Sequence, residues 1–251
     1  MDSKVVDQSL RRALWPVLKE AGFTRRTGRT AWRDHGLAIE CVNVQSFNAY
    51  RADVMGATTY SFGLNLGVFF EAIASRSAMG GFVKDFSRPK EFECHLRKFV
   101  TKGFAQPNTL SKPRFGIGRG RPILGTWFDR PDVWLVLPDG SNVDATVRDA
   151  TERVVADGLP WFDSVSDPRE AIRRLFEEPD MFAGPDAPRE IYGGSIGSPS
   201  RWHAIGALAA ASEDWDLLRH AVDEMSAQDY YRDRPGDLDQ LRRASPARGG
   251  Q

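Results

Sequence analysis

The sequence predicts an α+β fold: a single antiparallel sheet backed by helices, with a C-terminal helical hairpin and a mobile tail. Two patterns support this prediction. Apolar and polar residues alternate along several short segments, which is the period of a strand with one buried face. In other segments apolar residues recur every three or four positions, which is the period of an amphipathic helix. Hairpin-type turns join the first strand-like segments, so we expect these strands to pair antiparallel.

The N-terminal third combines one helix with the first strands. Apolar residues from 5 to 21 have helical spacing, Pro16 is expected to kink or divide this helix, and Gly22 follows as a cap. Residues 24–33 have hairpin chemistry around Thr27-Gly28, and a second turn at residues 34–36 precedes the apolar run 37–45. These segments predict two or three antiparallel strands.

The clearest strand signal runs from Tyr60 to Phe70, where large apolar residues alternate with Ser, Gly and Asn. This alternation predicts a strand with one buried face and one open face. Phe92 to Val100 repeats the pattern, with Glu93, His95 and Arg97 on one side, and residues 132–137 predict a further short strand.

Helical spacing dominates after residue 143. It predicts helices from Asp144 to Gly158, from Pro168 to about Glu178, and a pair at residues 199–211 and 214–227. We therefore expect an α+β domain over residues 1–180, a Pro/Gly-rich linker over 181–198, a helical hairpin over 199–227 and a flexible tail over 228–251.

Composition limits the class of protein. The chain has 251 residues, of which 41% are hydrophobic and 27% charged, which argues against disordered, fibrous and membrane proteins. Ala204 to Ala211, the longest nearly apolar stretch, is far shorter than the ~20 residues of a membrane helix, and the N-terminus lacks the apolar core of a secretory signal. We expect a cytoplasmic protein with no cofactor and no metal site, in which Cys41 and Cys94 are buried, reduced thiols.

The net charge of zero conceals an asymmetry. Residues 1–130 carry 21 basic and 11 acidic side chains (21 − 11 = +10), and residues 131–251 carry 13 and 23 (13 − 23 = −10). Two interpretations remain open. Either a basic surface is left available for a partner, or the two halves neutralise each other within one molecule.

Six short motifs follow one another in the first part of the chain: Leu18-Lys19-x-x-Gly22-Phe23, Trp32-Arg33, Val42-Asn43-x-Gln45, Phe62-x-Leu64-Asn65-Leu66-Gly67-Val68, Cys94-His95-x-Arg97 and Trp134. In this order they resemble the uncharacterised bacterial family called domain of unknown function 4304, over about residues 8 to 178. The chain departs from that pattern after Arg97, where Lys98-Phe99-Val100 and a Gly/Pro-rich insertion replace an Arg and a Leu-Gly pair. The resemblance implies one antiparallel sheet backed by helices and no established activity.

The first candidate site is the polar face of the sheet. Asn43, Gln45, Asn65, His95 and Arg97 are expected to lie on open faces of their strands. If these faces coincide, the surface could hold a small anion, a peptide or a nucleotide, with Arg97 as a bidentate anchor and His95 as a titrating group. The alternative is an ordinary solvated sheet face.

The second candidate is a basic loop containing Lys112, Arg114, Arg119 and Arg121. Its Arg119-Gly120-Arg121-Pro122 core resembles an AT-hook, which lies in a narrow minor groove of DNA. Gly118 stands where that motif has a proline, and Ile123-Leu124 follow where another basic residue is expected. The alternative is a mobile basic loop that recognises nothing.

No complete catalytic constellation is evident in the sequence. Gly193-Gly194-Ser195-Ile196-Gly197 matches the GxSxG string of a nucleophile elbow, but a Gly-rich linker explains it better because the following segments are helical. The leading hypothesis is a non-enzymatic binding protein, inhibitor-like or immunity-like, that recognises an acidic protein or nucleic acid. The alternative is an enzyme acting on a nucleic acid or nucleotide, with His95 and Arg97 as its catalytic groups.

Overall fold

The computed structural model describes residues 4–73, 85–104, 131–177, 190–192, 199–228 and 235–244. Within these residues, six strands form one antiparallel sheet, in which they lie in their order along the chain. Together with the helices, the sheet makes an α+β protein, as the sequence predicts. The strands are β1 (Arg25–Thr27), β2 (Thr30–His35), β3 (Ala38–Ser46), β4 (Phe62–Phe70), β5 (Leu96–Phe99) and β6 (Glu190–Tyr192).

Helices precede, interrupt and follow the strands. Within the described ranges, none of them is long and apolar enough to cross a membrane. The predicted C-terminal helical pair is present as α7 and α8. The helices are α1 (Lys4–Arg12), α2 (Leu14–Glu20), α3 (Ala49–Met55), α4 (Val143–Arg153), α5 (Leu159–Val165), α6 (Pro168–Glu177), α7 (Pro199–Ala211), α8 (Trp215–Ser226) and α9 (Pro235–Ala244).

The chain divides into two compact units, each assembled from separate stretches of sequence. In the first unit α1 packs against α2 and α4, and in the second α7 packs against α6, α8 and α9. The first unit comprises Met1–Arg33, Val42–Leu66 and Phe99–Pro160, and the second comprises Asp34–Cys41, Gly67–Lys98 and Trp161–Gln251.

The N-terminal helix is divided where Pro16 predicts a division. Pro16 has no N–H to donate to the carbonyl of Arg12, and its ring crowds that carbonyl. The first helix therefore ends at Arg12, and the second begins at Leu14. The spacing of four residues nevertheless continues across the break, because one buried stripe runs through both helices: Val6, Leu10, Leu14 and Leu18.

The strand predicted from Tyr60 to Phe70 is present as β4, but the expectation of an open face is wrong. Every residue from Phe62 to Phe70 is buried, and β4 is a central strand with β3 and β5 beside it. The small residues on the face expected to be open permit close packing. A Cβ on Gly67 would lie 2.6 Å from Cys94 Sγ and 3.4 Å from the carbonyl oxygen of Glu91. The alternation therefore marks close approach of other backbone, not exposure to solvent.

The segment predicted as a strand from Phe92 to Val100 contains only the short strand β5. Glu91–Glu93 forms a 3₁₀ turn instead, and the carboxylate of Glu93 accepts the N–H of Lys90 at 2.7 Å, which closes that turn. The strand predicted at residues 132–137 is likewise reduced to a single bridge between Trp134 and Phe62.

The helix predicted to stop at Gly158 continues through a π turn at Val154–Gly158 into α5. Pro160 supplies the physical reason for this turn. It has no N–H to donate to the carbonyl of Ala156, and the wider turn makes room for its ring.

Two segments expected to be irregular contain regular structure. Residues 181–198, interpreted as a linker, contribute β6, which pairs antiparallel with β5. The tail, expected to be mobile, contains α9, in which Leu238 and Leu241 are buried. Leu241 lies where Gly206 of α7 leaves space, since a Cβ there would be 2.6 Å from Leu241 Cδ1. Two leucines three residues apart in a polar segment are too short a signal to predict this helix.

A contact between α1 and α4 predicts a measurable pH dependence. The Ser9 hydroxyl donates to Asp144 Oδ1 at 2.6 Å, and Arg12 pairs with the same oxygen at 3.0 Å. The hydrogen bond from Ser9, assisted by Arg12, lowers the pKa of Asp144 below its ordinary value of 3.8. A carboxylate with a lowered pKa stabilises the folded state above its unfolded pKa, and this contribution is lost as the pH falls through the folded pKa.

We therefore expect the wild type to lose more stability than Asp144→Asn as the pH falls below 3.8. Urea unfolding at a series of pH values measures the difference. Ser9→Ala should reduce the pH dependence in the same direction, and parallel curves for the wild type and Asp144→Asn would contradict the assignment.

Candidate functional site

Three amide side chains that were expected on open faces of their strands lie on one face of the sheet in the first unit. The amide of Asn65 donates to Gln45 Oε1 at 3.1 Å, and the amide of Asn43 donates to Thr30 Oγ1 at 2.9 Å. Asn65 is buried, whereas Thr30, Asn43 and Gln45 are half-buried. We call these four residues the amide row. It places uncharged donors and acceptors on a partly accessible part of the sheet.

His95, in the second unit, lies inside the protein rather than on an open face. Its side chain is 2% exposed, its Nδ1 accepts the N–H of Phe70 at 3.0 Å, and its ring stacks on Phe69 with centroids 4.7 Å apart. A ring nitrogen that accepts a hydrogen bond carries no proton of its own, so this contact occupies Nδ1 and fixes the orientation of the ring. The expectation that His95 lies on an open face of its strand is therefore wrong.

Arg97, also in the second unit, is committed to an internal ion pair. Its Nε donates to Glu91 Oε1 at 2.6 Å, and the two side chains are 16% and 7% exposed. The pair ties the 3₁₀ turn at Glu91–Glu93 to β5. Charge-assisted hydrogen bonds of this kind are strong when buried, so Arg97 is not available as an open anchor for an anion.

The basic loop residues Lys112, Arg114, Arg119 and Arg121 lie outside the described residues. The described residues on either side of residues 105–130 are fixed to each other, since the N–H of Lys102 donates to the carbonyl of Pro131 at 2.8 Å. The GxSxG string at residues 193–197 also lies outside the described residues.

A basic surface that the site predictions did not include lies in the first unit. Residues 4–33 carry eight basic and two acidic side chains. We call the eight the N-terminal basic surface; the guanidinium of one of them, Arg26, lies over the ring of Trp15 at 5.2 Å. Such stacking orients the group and leaves its N–H edge available. A charge count over this segment alone would have found the surface, whose residues are Lys4, Arg11, Arg12, Lys19, Arg25, Arg26, Arg29 and Arg33.

The two cysteines are free and buried, as predicted. Burial raises the pKa of the Cys94 thiol well above its ordinary value of 9.0, and a contact with Cys41 raises it further. Because the thiolate is the nucleophile and the metal ligand, burial disfavours the form of Cys94 that reacts or binds a metal. Among the described residues, no three His, Cys, Asp or Glu side chains converge as metal ligands.

Comparison with known proteins identifies the family. The model of the family described as Domain of unknown function (DUF4304) matches residues 14–164, which is more than half of the chain. The chain belongs to the DUF4304 family. No curated protein and no solved structure matches it.

The DUF4304 match covers β1 to β5 and the helices α2, α3 and α4, with nearly all of α5. It includes the amide row, His95 and Arg97, and most of the N-terminal basic surface, and it ends before α6, α7, α8 and α9. Membership of DUF4304, a domain of unknown function, therefore assigns no activity to the chain.

The internal role of His95 predicts the effect of replacing it. In His95→Phe the N–H of Phe70 loses its acceptor inside the protein, and an unsatisfied buried donor costs about 1–3 kcal/mol. We expect this loss in chemical denaturation. His220→Phe, at an exposed position on α8, is the control and should change stability little. Equal stability of His95→Phe and the wild type would show that His95 is not a structural acceptor.

Proposed function

We propose that this DUF4304 protein is a non-enzymatic cytoplasmic binding protein that recognises an acidic partner, either a protein or a nucleic acid. The observation that supports the proposal best is the excess of positive charge in residues 4–33, which contain eight basic side chains and only two acidic ones. A concentrated field of one sign attracts a partner of the opposite sign and speeds its association.

Two further features assist recognition in this proposal. The amide row supplies donors and acceptors that have no net charge and suit a planar hydrogen-bonding group. The basic loop, with Lys112, Arg114, Arg119 and Arg121, adds positive charge to the same half of the chain. In one form of this proposal the protein is inhibitor-like or immunity-like, and it blocks the acidic protein that it binds.

The enzyme alternative receives less support from the side chains on which it depends. His95 is buried and uses Nδ1 to accept a backbone N–H, and Arg97 is paired with Glu91. A general acid or base must reach the proton that it transfers. Neither described side chain has this freedom.

Retention on immobilised heparin, a mixed sulfate and carboxylate polyanion, tests the proposal. The wild type should be retained at low salt and released as salt rises, because screening weakens exposed charge interactions. A variant that combines Arg26→Glu, Arg119→Glu and Arg121→Glu should be released at lower salt.

The control variant combines Arg173→Glu, Arg219→Glu and Arg242→Glu, which make the same change in net charge on α6, α8 and α9. We expect its retention to resemble that of the wild type. A wild-type chain that is not retained even at low salt would contradict the proposed function.

A further inference from the structure

Three cations of the N-terminal basic surface lie along one side of the α1 and α2 helices. Arg11, Trp15 and Lys19 are spaced four residues apart, and the guanidinium of Arg26 lies over the ring of Trp15. Four residues of helix rise about 6 Å. The cations of Arg11, Arg26 and Lys19 therefore follow one another along the helix axis at roughly regular intervals, and we call these three residues the basic stripe.

The helical break at Ala13 preserves this spacing. Ala13 itself remains in a right-handed helical conformation, with φ −109° and ψ −58°, and its N–H donates to the carbonyl of Ser9 at 3.0 Å. The buried stripe on the neighbouring side of the helices also keeps its spacing of four residues across the break. The basic stripe is therefore continuous, although Pro16 divides the helix.

The basic stripe is exposed and is not neutralised locally. Arg11, Lys19 and Arg26 are all exposed, and among the described residues none of the three forms an ion pair with a carboxylate. Two other members of the N-terminal basic surface contrast with them, since Arg12 pairs with Asp144 and Arg29 pairs with Asp7. Stacking on Trp15 limits the freedom that Arg26 would lose on binding.

The apolar content of the surface distinguishes between the two kinds of acidic partner. Protein interfaces concentrate their affinity in a few buried anchors, most often Trp, Tyr and Arg, which are packed in desolvated pockets. In residues 4–33 the only large apolar side chain that is exposed is Val5, at 37%. A surface that offers cations and almost no apolar anchor suits a phosphodiester backbone, whose binding depends mainly on neutralising phosphates.

We infer that the basic stripe binds the phosphate backbone of a nucleic acid without reading its sequence. Successive phosphates form a regular row of negative charges, and Arg11, Arg26 and Lys19 form a short regular row of positive ones. The guanidinium of Arg26 donates to a phosphate in the fork geometry that arginine provides. This inference rests on the proposed function and narrows its partner to one class.

Fluorescence anisotropy with a labelled 20-base-pair DNA duplex of arbitrary sequence tests the inference, using the full chain at salt concentrations from about 50 to about 200 mM. Three phosphate contacts contribute about −2.7 to the slope of log affinity against log salt, which is about 40-fold between those concentrations. For the variant Arg11→Gln/Lys19→Gln/Arg26→Gln, we expect the slope of log affinity against log salt to be less negative by about this amount. The control Arg173→Gln/Arg219→Gln/Arg242→Gln loses the same charge and should keep the wild-type slope.

The outcomes separate this inference from the proposed function. Far-UV circular dichroism first verifies that each variant is folded, and Arg26→Lys, which keeps the charge without the fork, should bind with intermediate affinity. Equal slopes for the wild type and the stripe variant would overturn the inference. Binding of poly-glutamate through the stripe, without binding of the duplex, would overturn it and leave the proposed function standing. Failure to bind duplex, poly-glutamate and heparin alike would overturn both.

Discussion

Replacing Gly67 with alanine is expected to destabilise the protein by about 3 kcal/mol, at the upper end of the usual cost of overpacking. Gly67 lies in the buried strand β4, and a Cβ at this position would lie 2.6 Å from Cys94 Sγ and 2.7 Å from Cys94 Cβ. Both distances are well inside van der Waals contact. A Cβ cannot rotate away as the end of a long side chain can, so the segment that carries Cys94 must shift. Chemical denaturation measures the loss.

The chain offers a matched control for this substitution. A Cβ on Gly236, at the start of α9, meets nothing within 4 Å, so Gly236→Ala should be neutral or should stabilise the protein by up to about 1 kcal/mol. Adding Cys94→Gly to Gly67→Ala removes both clashing atoms and should recover part of the lost stability. A Gly67→Ala variant that is as stable as the wild type would contradict the close packing of Cys94 against β4.

Replacing Asp149 with alanine is expected to cost about 3–5 kcal/mol, because two donors lose a charged acceptor inside the protein. Asp149 is 8% exposed. Its carboxylate accepts the N–H of Gly103 at 3.1 Å to each oxygen and the indole N–H of Trp134 at 2.8 Å. The side chain thus holds residues 101–103 and the bridge at Trp134 against α4. Thermal and urea unfolding should both show the loss.

Glu152→Ala is the control for this position, since Glu152 is exposed on the same helix and should change stability by less than about 0.5 kcal/mol. A double-mutant cycle with Trp134→Phe isolates the indole contact. If the effects of Asp149→Ala and Trp134→Phe simply add, the two residues do not interact as described.

Local chemistry made much of the fold predictable. Pro16 has a fixed effect on any helix, so the division between α1 and α2 follows from one residue. The helix predicted from Pro168 is present as α6, and just before it the carboxylate of Asp167 accepts the N–H of Arg169 at 2.9 Å. The alternation from Tyr60 to Phe70 correctly predicted β4, because a strand period extends over many residues. Features that depend on tertiary packing were missed, including α9, whose only apolar signal is a pair of leucines.

The candidate site was less predictable, because a strand pattern gives a face but does not say what covers it. Asn43, Gln45 and Asn65 were expected on open faces of their strands; they lie on one face of the sheet, but Asn65 is buried there. His95 was assigned to an open face, yet it is buried. The turn at Glu91–Glu93 replaces the first part of the predicted strand, which begins only at Leu96, so the predicted alternation does not apply to His95. Sequence spacing does not reveal that Glu91 pairs with Arg97.

The N-terminal basic surface was visible in the sequence as a charge count, but it was assigned to a diffuse half of the chain. Which of its cations form ion pairs depends on partners that are distant in the sequence. Asp144, 132 residues after Arg12, neutralises that arginine. Arg26 lies over Trp15, and no carboxylate in the described part of the chain pairs with it. Only the fold shows which cations remain available.

Amide chemical-shift mapping by NMR, with a short heparin fragment added to the ¹⁵N-labelled full chain, tests most directly where the acidic partner binds. The binding account predicts that the largest shifts fall on α1, α2 and β1, around Arg11, Lys19 and Arg26. Shifts confined to the segment around His95 and Arg97, with the N-terminal helices unaffected, would contradict it.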